Sequence, residues 1–468
     1  MKKRNCLPVL LSGISCTGFA LQSTGDKERP NIVVIVADDL GTHELGCYGG
    51  TNVATPNIDR LAEEGIRLTN NYASCAMSVP IRASMYTGLY PVKHGSYQNH
   101  KKTFPYIKSI THYMPPTGYR LARAGKRDSY PESVYRFEEL PGFKTGCTNA
   151  DASYTTDGIE EFVNRDNNPF CMFVCSINSH RPWTSGDPSK IDPGRIVLPP
   201  NCVDNKGTRE LYRRYLAEIG QLDKEVGSVL KVLEDAGKLE NTIVVFLAEQ
   251  GPCMPFAKWT CYRYGQNRAF IARYPRRIPQ GKVSDALVQY EDIMPTLIDI
   301  AGGEPVAGID GFSCLPVLYG EKQDHRKWSY GIHNNIPEGT TYPIRSIQDK
   351  RYKLIRNLAP ELDFYEKHMM KPGDKTQVWG YWLETAKTNE RARSLTERYV
   401  RRPEIEFYDL EQDPWELNNI AGRREYGERI ALMKAELEKW MEEQGDTGVA
   451  LDMDEPRKGR PEVKGKKG

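Results

Sequence analysis

Four short apolar runs punctuate the first 250 residues of the chain, and each stops abruptly in polar residues. Asn31-Ile-Val-Val-Ile-Val-Ala37 ends at Asp38-Asp39, and Thr242-Ile-Val-Val-Phe-Leu-Ala248 ends at Glu249-Gln250-Gly251. Tyr119-Arg-Leu-Ala-Arg-Ala124 ends at Gly125-Lys126, while Phe170-Cys-Met-Phe-Val-Cys175 leads through Ser176-Ile-Asn-Ser179 to His180. Continuous β-branched and aromatic runs of this length predict strands buried on both faces, as in a parallel sheet covered by helices. Helical patterns lie between them, at 57–64, 208–237 and 291–301. The alternation predicts an α/β fold with a large doubly wound, mixed or parallel sheet flanked by helices. Ligands of such sheets gather at the carboxyl ends of the strands, and all four polar clusters fall there.

After about residue 320 the pattern changes. Tyr342-Pro-Ile-Arg-Ser-Ile-Gln-Asp-Lys-Arg-Tyr-Lys-Leu-Ile355 and Glu406-Phe-Tyr-Asp-Leu410 read as half-exposed strands of a small antiparallel sheet. Residues 426–443 carry Ile430, Met433, Leu437 and Trp440 along one helical stripe. The predicted organisation is therefore a main domain over 29–320 and a smaller C-terminal α+β domain over 325–445. A Lys-, Arg- and Gly-rich segment, 455–468, reads as a disordered basic tail. At the other end, 1–22 has the form of a signal peptide: Met1-Lys-Lys-Arg4, then an apolar stretch from Leu7 to Ser15. That stretch is too short to span a bilayer, so the expectation is export, with Cys16 a candidate lipid anchor.

Lys and Arg number 64 against 62 Asp and Glu, and loss of Lys2, Lys3 and Arg4 with the leader would leave about one net negative charge. No global field then favours nucleic acid or a membrane surface, and an anionic ligand must be met by local charge. Two of the 11 cysteines lie in the leader; the odd remainder, irregularly spaced, forms neither a disulfide framework nor a zinc motif. Cys171 and Cys175 read as small buried hydrophobes.

The segment Cys75-Ala-Met-Ser78-Val-Pro80-Ile-Arg82 predicts a helix start around a reactive group. Pro80 suits the first helical position. Ser78 falls near the N-cap, where free N–H groups favour an anion, and Arg82 shares its face one turn on. The same spacing also fits an ordinary Ser-capped helix. Asp38-Asp39 and Glu249-Gln250 offer hard oxygen ligands suited to Ca²⁺ or Mg²⁺. An Asp-Asp pair alone equally caps a strand-to-loop turn, but two such pairs after two matched strands, with Ser78, point toward a metal. Arg82, Lys126 and Lys258 would complete a cationic cradle for a tetrahedral anion, and His180 could protonate a leaving group.

These residues resemble the sulfatases of the alkaline-phosphatase superfamily, from Arg29 to about Glu443. The landmarks are Pro30-Asn-Ile-Val-Val-Ile-Val-Ala-Asp-Asp-Leu, Thr55-Pro-Asn-Ile-Asp-Arg-Leu-Ala, Ser78-x-Pro-x-Arg-Ala-Ser-x-x-Thr-Gly, Gly125-Lys126, His180-x-Pro-Trp, Asp292-Ile-Met-Pro-Thr-Leu and Phe407-Tyr-Asp-Leu-Glu-Gln-Asp-Pro-Trp-Glu. The resemblance implies that Ser78 is oxidised to formylglycine. One hydroxyl of the aldehyde hydrate attacks sulfur and the other loses a proton to expel sulfate. It implies Ca²⁺ held by Asp38, Asp39, residue 78, Glu249 and Gln250. Arg82 and Lys126 would orient formylglycine, and Lys258 and His180 would hold the sulfate and assist the leaving group. A Ser at position 78 resembles the bacterial branch matured by a radical-SAM enzyme, which becomes an expected partner. Within the family the likeness runs furthest to the heparan N-sulfatases, through Gly125-Lys-Arg-Asp-Ser-Tyr-Pro-Glu-Ser-Val-Tyr-Arg-Phe, Thr341-Tyr-Pro-Ile-Arg-Ser-Ile-Gln and Tyr352-Lys-Leu-Ile-Arg-Asn-Leu.

Two positions depart from the family pattern. Glu249-Gln250 replaces the usual Asp-Asn or Asp-His, which keeps one carboxylate and one amide oxygen. Asp128 replaces the histidine of G-K-x-H; it could take over proton transfer if burial raised its pKa, whereas an ionised Asp128 would lower turnover or mark a degenerate site. His100 and His333 are candidate sugar contacts. The expectation is an exported, calcium-dependent sulfatase, periplasmic or an outer-membrane lipoprotein, acting on sulfated oligosaccharides such as N-sulfoglucosamine. The alternatives are a sulfatase-fold glycan-binding protein without catalysis, and a phosphodiesterase or phosphonate hydrolase on the same fold.

Overall fold

The structure, a computed structural model, describes residues 29–147 and 153–453. The leader with Cys16 and the tail 455–468 lie outside the described residues. Eight strands form the large sheet: β1 (Asn31–Ala37), β2 (Ile66–Tyr72), β3 (Arg120–Gly125), β4 (Glu138–Leu140), β5 (Phe170–Cys175), β6 (Thr242–Ala248), β7 (Phe270–Arg273) and β8 (Lys282–Gln289). Their order is β4-β3-β5-β1-β6-β7-β2-β8. All pairs are parallel except those of β7, which runs against β6 and β2 and makes the sheet mixed.

Alternation along the fully buried β1 divides its side chains between two cores. Val33, Ile35 and Ala37 join Leu216, Ile219, Leu222 and Val226 of the helix Lys206–Asp235 on one side. Ile32, Val34 and Val36 join Ile293, Met294 and Leu297 of the helix Ile293–Ile300 on the other. Each Val or Ile so enclosed contributes about 1.5–3 kcal/mol relative to exposure, which is why these runs carry no polar residue until the sheet ends. The helix Lys206–Asp235 starts at Asn205, whose side chain accepts from the Thr208 amide at 2.8 Å.

Register then sets the site. Ala37 pairs with Ala248, so Asp38 and Glu249 leave the sheet side by side. Gly125 pairs with Cys175, placing Lys126 beside Ser176. Facing these ends is a second helix, α2 (Ser78–Thr87), which follows α1 (Pro56–Glu63) in the chain. The sequence places Pro80 first in α2, but the structure places Ser78 first, Met77 at the N-cap and Pro80 third. Proline is tolerated there because the third N–H also lacks an intrahelical acceptor. Freed from capping, the Ser78 hydroxyl can face the strand ends.

The second sheet is antiparallel, ordered β12-β11-β10-β9 from β9 (Ser329–His333), β10 (Ile344–Gln348), β11 (Tyr352–Asn357) and β12 (Ile405–Asp409). The helix Gly427–Gln444 buries Met433, Leu437 and Trp440 against it, and the Trp440 ring stacks on Tyr330 at 4.8 Å. The two sheets are tied where the Ile332 amide donates to the Ser74 carbonyl at 2.8 Å and Tyr262 donates to Glu406 at 2.8 Å. The second sheet thereby abuts the approach to Ser78. The nine described cysteines are all free, with Cys171 and Cys175 buried in β5. Among the described residues no helix is long and apolar enough to cross a membrane.

Candidate active site at the strand ends

Ser78 lies at the centre of a buried polar ring. Its hydroxyl oxygen accepts from Lys126 Nζ at 2.8 Å and from Gln250 Nε2 at 2.9 Å. Lys126 also donates to Asp38 Oδ2 at 2.6 Å and stands 3.3 Å from Asp128 and 3.8 Å from Glu249. Gln250 Nε2 donates further to Asp38 and Asp39, at 3.1 and 2.6 Å. Lys258 Nζ spans both oxygens of Asp39 at 2.7 and 2.9 Å, and His180 Nε2 is 3.7 Å from the same carboxylate. Arg82 forms a fully buried ion pair with Glu249 and donates to the Lys126 carbonyl at 3.3 Å. It therefore fixes the ends of β6 and β3, which carry Glu249 and Lys126.

Burial opposes charge at Lys126, Lys258, Asp39 and His180, and close pairing offsets it. Burial pulls the Lys126 ammonium down, but Asp38, Glu249 and Asp128 more than offset this and hold it well above the usual lysine range. Lys258 is likewise raised, with Asp39 and Asp38 outweighing burial. Burial pushes Asp39 up, yet Lys258, His180 and Lys126 bring it below the ordinary carboxylate value. For His180, burial and Lys258 act downward, while Asp39, Asp38 and a hydrogen bond with Cys147 act upward and prevail. Its imidazole is thereby biased toward the protonated form.

Asp128 departs from the behaviour a histidine substitute would need. Burial raises its pKa, but Lys126 and Arg82 bring it down to about 2. The carboxylate is ionised at neutral pH and faces Lys126 as an acceptor.

The oxygen-rich donor set suits a hard divalent cation. Asp38, Asp39, Glu249 and Gln250 are all fully buried, and Glu249 Oε1 and Gln250 Oε1 have no hydrogen-bond partner. Leaving such atoms buried and unpaired costs about 1–3 kcal/mol each. Four carboxylates (Asp38, Asp39, Glu249, Asp128) face three fixed cations (Arg82, Lys126, Lys258), an excess of one negative charge before His180 is counted. A divalent cation would reverse that sign and make the site attractive to an anion. Turning the Gln250 amide would present oxygen in place of nitrogen to the two aspartates. The residues fit calcium.

Several neighbours escaped the sequence reading. Cys147 lies with Asp38 and His180 such that one ligand atom of each falls within 4.8 Å of the others. Burial raises its thiol, but the His180 hydrogen bond and Lys126 bring it below 9.0. Trp259 stacks on His368 at 5.7 Å and so joins Lys258 to the second sheet's loops. Nothing in the spacing of these residues sets them apart; packing alone brings them here. Of the two candidate sugar contacts, His100 is half-exposed on the rim, 3.4 Å from Glu338. His333 is not on the rim. It is wholly buried in β9, bonded to Asn335 at 3.1 Å, and burial pushes it down to about 3. A neutral imidazole enclosed in a strand is a packing residue, which corrects the expectation of a sugar contact.

Residues 30–303 match the family described as Sulfatase, and 254–378 match the domain described as N-sulphoglucosamine sulphohydrolase, C-terminal. An ulvan-active sulfatase of Formosa agariphila is 31% identical over 95% of this chain and 89% of its own length. Human N-sulphoglucosamine sulphohydrolase is 25% identical over 90% of this chain and 92% of its own. A solved structure, in complex with its substrate D-glucosamine-2-N,6-O-disulfate, superposes with a TM-score of 0.67 at 23% identity. It covers 91% of this chain and all of that one.

Proposed function

Because the chain belongs to the sulfatase family and its relatives hydrolyse sulfate esters or sulfamates of glycans, we propose that it is a calcium-dependent sulfatase of N-sulfated glucosamine, working through formylglycine made from Ser78. The observation that carries this reading is the convergence of Lys126 and Gln250 on the Ser78 oxygen while the same two side chains hold the Asp38-Asp39 pair, with one buried oxygen each of Glu249 and Gln250 left without a hydrogen bond. The domain match at 254–378 and the human relative support the N-sulfated sugar.

In this reading Asp38, Asp39, Glu249, Gln250 and residue 78 hold the metal. Calcium, when bound, would hold an anionic substrate and favour a deprotonated nucleophile; formylglycine supplies, as its hydrate, one hydroxyl to attack sulfur and another whose proton is lost when sulfate leaves. The chain's own residues do the rest. Lys126 orients the oxygen at residue 78 and stabilises negative charge on it. Arg82 keeps Glu249 and the Lys126 backbone in place. Asp128, ionised, helps hold the Lys126 ammonium together with Asp38. Lys258 meets the sulfate oxygens, and His180 delivers a proton to the departing atom. That proton matters most for a sulfamate, whose nitrogen is a poor leaving group until protonated. Residues 29–320 are read as the catalytic domain and 325–445 as its C-terminal subdomain. Export, to the periplasm or to an outer-membrane anchor at Cys16, rests on the leader pattern of 1–22.

The test is sulfate release by protein co-expressed with a radical-SAM maturase, from N-sulfoglucosamine and from 6-O-sulfated N-acetylglucosamine, with Ser78→Ala as the blank. Turnover of the first sugar well above the second is expected. Sugars that bind without losing sulfate would replace this reading with a glycan-binding one, for which the ionised Asp128 is the motivating observation.

A further inference from the structure

Beside the ring lies a second charged cluster that the chemistry above does not use. Glu338, only 2% exposed, is shared by three basic side chains that are each about half exposed. His368 Nε2 lies 2.5 Å from Glu338 Oε2, Lys367 Nζ 3.4 Å from the same oxygen, and His100 Nε2 3.4 Å from Oε1. Asn99 donates to Oε1 at 2.8 Å. A buried carboxylate thus gathers three half-exposed basic side chains, of which Lys367 also donates to the Pro337 carbonyl at 3.0 Å.

The cluster is fastened to both sides of the active site. On one side, His100 is close enough to Asp128 to contribute to lowering its pKa. On the other, Trp259, the residue after Lys258, stacks on the His368 ring, and Arg181, the residue after His180, donates to the His368 carbonyl and to Thr376. The bases are therefore tied to the segments that carry Asp128, Lys258 and His180. Glu366, another acid of the cluster, is fully buried and pushed up to about 8, so at neutral pH it adds little negative charge beside Glu338. Glu338, Glu366 and His368 are also close enough to suggest a cation site, but Lys367 and His100 on the same carboxylate oppose one.

We propose that His100, Lys367 and His368, anchored on Glu338, form a subsite for a second anionic group of the glycan, a further sulfate or a uronate carboxylate. Glu338 is a positioning residue: it fixes the bases without meeting the ligand. The site thereby selects multiply charged glycans over singly sulfated ones. The inference rests on the sulfatase reading above, because the first sulfate must occupy the ring.

Titration calorimetry on the full-length Ser78→Ala protein in calcium tests it with three ligands: N-sulfoglucosamine, its N,6-O-disulfated form, and a disaccharide joining N-sulfoglucosamine to a uronate. At least one of the last two should bind about tenfold tighter than the first, the weight of one half-exposed charge-assisted contact. Which of them does so tells whether the second anion sits on the same sugar or on the next. Lys367→Met should reduce that advantage to about threefold or less, and Lys367→Arg should keep it. Equal binding of all three overturns the inference alone, as does an advantage that survives in both Lys367→Met and His368→Gln. No binding of any ligand overturns the sulfatase reading and this inference together.

Discussion

Replacing Lys126 with methionine removes, among the described residues, the one cation bonded both to the Ser78 hydroxyl and to Asp38 of the proposed metal site. Its ammonium is fully enclosed and meets Asp38 at 2.6 Å, Ser78 at 2.8 Å, Asp128 at 3.3 Å and Glu249 at 3.8 Å. In calcium-free protein the variant leaves three carboxylates without that partner, and breaking a buried pair costs about 3–5 kcal/mol. At roughly 2 °C per kcal/mol for a chain this long, Tm in EDTA should fall by about 6–10 °C. Calcium should recover much of the loss, because it supplies charge to Asp38 and Glu249 from the other side. Catalysis has no such substitute: losing one preorganised donor to the reacting oxygen lowers kcat by about 10²–10³. Lys126→Arg should not rescue it, since a planar guanidinium cannot fill a pocket cut for a point charge. The assays are differential scanning fluorimetry with and without calcium, and sulfate release by the matured enzyme. An unchanged Tm in EDTA together with a kcat within threefold of wild type would refute the placement of Lys126 as the bridge.

Three other outcomes follow from the same geometry. Calcium at about 100 times its Kd should stabilise the protein by about 2.7 kcal/mol, reversibly with EDTA, and Asp39→Asn should abolish the shift; a melting curve indifferent to calcium contradicts the donor set. Against burial, Asp39 and Asp38 hold the His180 pKa above its ordinary value, so as the proton donor it should make kcat fall as pH rises past that pKa. His180→Asn should remove that basic limb and cost about 10²–10⁴ in rate; a limb retained in the variant assigns the proton elsewhere. The Cys147 thiol is lowered while that of Cys47, the other described cysteine that is not fully buried, is pushed up to about 12. Iodoacetamide at neutral pH should therefore label Cys147 first, as peptide mapping would read, and faster labelling of Cys47 would contradict the His180 contact.

How far the sequence reaches differs between elements for physical reasons. β1, β3, β5 and β6 are legible because a strand buried on both faces can hold little that is polar, and their ends expose Asp38, Lys126, His180 and Glu249 in a row. β2, Ile66–Tyr72, hides behind Arg67, Thr69, Asn70 and Asn71, since its neighbours accept those polar groups. The helix Glu390–Val400 has a charged outer face that masks a narrow apolar stripe. Pro80 misleads by two positions because the third helical N–H, like the first, lacks an intrahelical acceptor and so tolerates proline. Glu338, His368, Trp259 and Cys147 owe their place to long-range packing between the two sheets, and no local pattern records that. His333 shows the converse: a histidine in a strand reads as chemistry until its burial is known.

The account's central claim is that Ser78 is a precursor, and the mass of the peptide containing it, from protein made with its maturase, tests this most directly. The account predicts a peptide lighter by two hydrogens, the difference between an alcohol and an aldehyde, and its loss in Ser78→Ala. An unchanged serine in fully active protein would contradict it.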